Sequence, residues 1–135
     1  MKKTILTLTA LLLAGCGSEM ASYLIAGSEI NMTLERTKPY FWSGGWDLAM
    51  IVRLDPVCQR RHKLRKIAAE SFKVDVYSPE RGVFILNQGK RWYVAQLKTC
   101  EMQQFDEAPP APGELVGTFR TSGGEFKFVP AADEK

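Results

Sequence analysis

The chain has 135 residues, 45% of them hydrophobic, a length that fits one domain around a single core. Its formal charge of +3 includes Lys2 and Lys3. Without them sixteen basic residues face fifteen acidic ones, so bulk charge argues neither for nucleic acid nor for an acidic polymer.

Lys2 and Lys3 precede an apolar run, Thr4 to Leu13, that is shorter than the roughly 20 residues needed to cross a hydrocarbon core. Such a run reads as an export signal. Directly after it, Leu13-Ala14-Gly15-Cys16 resembles the lipobox of bacterial lipoproteins. The resemblance implies acyl chains on Cys16, cleavage before it, and stable attachment to a membrane, since more than one acyl chain suffices for that. Gly17, where some lipoproteins carry an acid, implies an outer-membrane location facing the periplasm. In that compartment Cys58 and Cys100 are left to pair with each other, free thiols and a metal pair being the alternatives. The cysteines have no close-spaced histidine or cysteine partner, so a metal is not expected.

In chain order, 1–15 is then the cleaved leader, and 16–28 the lipidated N-terminus and tether, with Tyr23 to Ile25 a short strand or plug. The β domain spans 29–129 and a disordered tail 130–135. Ile30, Met32 and Leu34 alternate with polar residues, the period of a half-buried strand. Pro39 ends it, because proline lacks the ladder donor. After Tyr40-Phe41-Trp42 and the turn at Ser43-Gly44-Gly45, Trp46, Leu48, Met50, Val52 and Leu54 form the cleanest strand, paired with the first as a hairpin. Asp55-Pro56 suits a helix start, so one short helix is the most expected near 56–69.

Phe72, Val74 and Val76 begin a third strand, Val83 to Leu86 make a fourth, and Arg91 to Leu97 a fifth. Glu107 to Gly113 is a proline-rich connection, and the last hairpin, Leu115 to Arg120 with Glu125 to Val129, turns at Ser122-Gly123-Gly124. The expected fold is all-β: a small antiparallel barrel or sandwich of about seven strands.

The candidate site has two parts. From Arg53 to Lys66 there are six basic residues and one acid, including Arg60, Arg61, Lys63 and Arg65, while from Glu101 onward seven acids face three bases. Arginine forks suit phosphate and carboxylate, and a solvated loop is the ordinary alternative. Trp42 and Trp46 flank a glycine turn and would stack on a ligand or sit at an interface, unless they close the end of the core. His62, the single histidine, has cationic neighbours and no carboxylate beside it. No Gly-x-Ser-x-Gly occurs, and no pair among Glu35, Asp47, Asp75 and Glu125 is singled out as an acid–base couple. No catalytic residue, cofactor or metal is therefore expected. The expectation is a structural or binding module for an anionic envelope component or an envelope protein, with no nucleic acid. An inhibitor of a lytic enzyme such as lysozyme is the alternative, and an envelope hydrolase comes third.

Overall fold

A computed structural model describes residues 17–133 apart from Phe41 and Ser43. The leader and Cys16 lie outside the described residues.

Alternation in the sequence sets the pairing. In β2 (Ile30–Thr37) and β3 (Asp47–Leu54), Met32 lies opposite Val52 and Leu34 opposite Met50, all four fully buried. On one side β1 (Ser18–Ala26) pairs with β2, and on the other β4 (Cys58–Lys63) pairs with β3. These make a four-stranded antiparallel sheet in the order β1-β2-β3-β4.

The second sheet has six strands: β5 (Val74–Glu80), β6 (Val83–Gln88), β7 (Arg91–Gln96), β8 (Glu101–Phe105), β9 (Glu114–Ser122) and β10 (Glu125–Pro130). Their order is β10-β9-β5-β6-β7-β8, with every pairing antiparallel. Val74, Val76, Leu86 and Phe119 from this sheet meet Met32, Leu34, Met50 and Val52 from the first in one core. Burying each such side chain contributes about 1.5–3 kcal/mol.

Among the described residues the architecture is therefore a sandwich of ten strands, not a closed barrel and not seven strands. Two further expectations are corrected. The tether expected at 16–28 is largely strand, well beyond the short strand allowed at Tyr23 to Ile25: β1 runs from Ser18 to Ala26, with Ala21 4% exposed in the core and Tyr23 packed against it. At most one short helix is expected near 56–69, and none forms there. Asp55 accepts a hydrogen bond from Arg53 Nε at 2.7 Å instead of capping a helix, and Val57 N donates to Leu54 O at 2.7 Å, closing a tight turn into β4. The tail begins with a 3-10 turn, Ala131–Asp133.

The two ends of the sandwich differ. At one, the β3–β4 turn and the β7–β8 turn are tied by the Cys58–Cys100 disulfide. The other carries Gly17, whose carbonyl accepts Lys38 N at 2.9 Å, together with the β2–β3 loop, the segment after β4 and the β6–β7 turn.

Candidate functional site

The basic stretch lies on an edge strand. Because β4 alternates, its cations divide. Arg61 and Lys63 lie opposite Ile51 and Ala49 on the outer face, while Arg60 and His62 lie opposite the core residues Val52 and Met50 and point toward the seam between the sheets. Arg61 Nη2 donates to Glu35 Oε1 at 3.0 Å. Arg60 lies 3.9 Å from Glu101 across the seam, and Lys66 lies 3.6 Å from Asp47. His62 Nε2 donates to the Cys100 carbonyl at 2.7 Å, so the single histidine serves as a bridge between sheets. Lys63 and Arg65 are exposed, and neither side chain has an ion pair among the described residues.

The two tryptophans part company. Gly45 has φ +86°, and a Cβ there would stand 1.9 Å from Ile67 O, so only glycine lets the segment after β4 pass this close. That approach allows Trp46 N to donate to Ile67 O at 2.7 Å and Ile67 N to Trp46 O at 2.9 Å. The Trp46 indole donates to Glu70 O at 2.8 Å, and the Arg36 guanidinium (4.3 Å) and Lys38 Nζ (4.7 Å) both lie over its ring. Trp46 is thus half-buried and structural. Trp42 is 69% exposed and stacks on Tyr40, itself 55% exposed, with centroids 4.9 Å apart and planes 17° apart.

A shallow open cleft of about 330 Å³ sits beside this turn, walled by Pro39, Gly45, Trp46, Lys66, Ile67 and Arg91. Arg91 Nη1 donates to Lys66 O at 2.6 Å and fixes one wall. Glu70 ion-pairs with Lys38. The hydrogen bond from Lys38, helped by the Gly45 amide, holds its carboxyl below the usual glutamate range.

The carboxylates singled out in the sequence do not converge as an acid–base pair. Glu35 and Asp47 face cations, Asp75 accepts Thr118 Oγ1 at 2.8 Å, and Glu125 lies at the exposed β9–β10 turn. No group of three or more metal-binding side chains occurs among the described residues.

Arg36 was missed by the sequence reading. It is 8% exposed, bonded to Glu19 through Nε at 2.6 Å and to Thr121 Oγ1 at 3.2 Å, with Phe126 4.2 Å and Phe72 5.9 Å from its guanidinium carbon. The signal was present: Arg36 follows Met32 and Leu34 at the inward spacing. No known protein family, characterised protein or solved structure matches this chain.

Proposed function

We propose that this protein is a lipid-anchored binding module of the bacterial envelope. Acyl chains on Cys16 hold it in the outer membrane facing the periplasm, and the β4 edge with the residues after it binds an anionic envelope component. The observation that carries the reading is the pair Lys63 and Arg65, two exposed cations without an ion pair among the described residues, in line with Arg61 on an open strand edge. Lysine and arginine ends here can meet carboxylate or phosphate without first breaking an internal pair.

The test uses full-length protein in detergent, which occupies the acyl chains, mixed with purified peptidoglycan sacculi. Each exposed charge contributes up to about 1 kcal/mol, so Lys63→Glu with Arg65→Glu lowers co-sedimentation about tenfold at low salt. Added salt weakens the unaltered protein in the same direction, because exposed charges are screened. Unchanged retention of the double variant removes the reading.

A further inference from the structure

We propose that the Gly17 end of the sandwich is a membrane-seating surface, in which the stacked Tyr40 and Trp42 rings enter the headgroup region of the bilayer that holds the acyl chains. The inference rests on the lipid-anchored reading and adds to it a second contact and an orientation.

The first argument is chain length. Lys38 N donates to Gly17 O, and β1 begins at Ser18. Cys16 is one peptide unit away, about 3.8 Å between Cα atoms. An anchor there enters the bilayer within a residue of the sheet, with no tether in between. The end of the sandwich that holds Gly17 is then kept at headgroup level.

The second argument is what that end presents. The loop that starts at Lys38, hydrogen-bonded to Gly17, carries Tyr40 and Trp42 outward. Tryptophan and tyrosine join an apolar body to a polar tip, the combination that favours a membrane–water interface. Closing the core does not need them, because Arg36 already lies over Trp46, Phe72 and Phe126 at that end. The two rings therefore present a stacked, exposed aromatic pair at this end.

The third argument is charge. Lys66, Lys90 and Arg91 lie at the same end, Lys66 and Arg91 in the wall of the cleft and Lys90 exposed in the β6–β7 turn. Two acids at this end, Glu70 and Asp47, are engaged by Lys38 and Lys66. A basic rim around two interfacial aromatic rings fits a phospholipid surface, and fits an anionic one best. Seated this way, the sandwich stands on its Gly17 end with the Cys58–Cys100 end toward the periplasm.

The experiment uses the full-length lipidated protein purified from bacterial membranes and reconstituted into phosphatidylethanolamine vesicles, with and without phosphatidylglycerol, whose acyl chains carry bromine close to the headgroup. Bromine quenches nearby tryptophan emission. The expected result is strong quenching of the unaltered protein, loss of the greater part of it in Trp42→Ala, retention in Trp92→Phe, a half-buried β7 ring lying against Tyr77, and deeper quenching when phosphatidylglycerol is present. Equal fractional quenching in the unaltered protein and Trp42→Ala overturns the proposal and points to a protein partner for the aromatic pair. Mass spectrometry of the same preparation separates the two readings. Acyl mass on Cys16 with no Trp42-dependent quenching removes the seating surface alone, whereas a chain without acyl mass removes the anchor and the seating surface with it.

Discussion

Arg36 occupies a place that alternation in β2 reserves for an apolar side chain, and it is held there by three rings and one half-exposed carboxylate. Its guanidinium can lie flat on Trp46 and Phe126 while its edge bonds Glu19 and Thr121. A lysine ammonium has no plane to stack and cannot fork. Arg36→Ala is expected to cost about 3 kcal/mol, combining lost cation–π contact with a cavity in the core. Arg36→Lys should recover little of that, with urea denaturation as the measurement. Glu70 sets the acid limit of the same corner. Its carboxyl titrates below the ordinary value of about 4.3, because Lys38 bonds the charged form. The stabilisation is complete above the ordinary value and is lost as pH falls through the depressed one. Emission from Trp46, whose indole donates to Glu70 O, is therefore expected to hold steady from neutral pH down to the ordinary glutamate range and to change below it. Glu70→Gln should abolish that acid step.

Among the elements, the central strands and the last hairpin with its edge strand β10 were legible, and the edge strands β4 and β8 were not. Ile30, Met32 and Leu34 against Leu48, Met50 and Val52 gave the β2–β3 hairpin, because both strands have one face in the core and the other in water. β4 and β8 lie at sheet edges, and their inward positions look into a seam. Arg60 and His62 on β4 and Gln104 on β8 can stand where a central strand would need apolar side chains. Charge on an edge also discourages pairing with another chain, which erases the hydrophobic signal a strand is recognised by. β1 was legible only at Tyr23 to Ile25, for the opposite reason. Ala21 and Tyr23 face inward, but Met20 and Leu24 on the outer face are apolar too, each 59% exposed, so no alternation is visible. The basic cluster was readable as a cluster. Its division into an outer pair and a seam pair was not, since that depends on register against β3. The different fates of Trp42 and Trp46 depend on Gly45 meeting Ile67, a contact across 22 positions of sequence that local pattern cannot reveal.

The whole molecule has two long seams, closed by different means. Where β1 meets β10, Tyr23 stacks on Phe128 at 4.3 Å and meets Phe84 edge-on at 5.8 Å, so apolar burial holds the sheets together. Where β4 faces β8, no strand pairing joins them; the ties are the Cys58–Cys100 disulfide, the His62 bond to the Cys100 carbonyl and the distant Arg60–Glu101 pair. Two of these three ties pass through Cys100 itself. The cross-link spans 42 positions, for which the chain-entropy treatment gives about 4 kcal/mol. Replacing both cysteines by serine is therefore expected to lower the unfolding free energy by about 4 kcal/mol in urea. The loss should also be local. Amide exchange is expected to accelerate first in β4 and β8, while β1, β2, β9 and β10, held by the aromatic seam, keep their protection until global unfolding. A uniform loss of protection across both sheets would mean that the disulfide acts only on the unfolded chain. A selective loss at β4 and β8 would make it the clasp of the sandwich, holding in place the edge strand that carries Arg61 and Lys63.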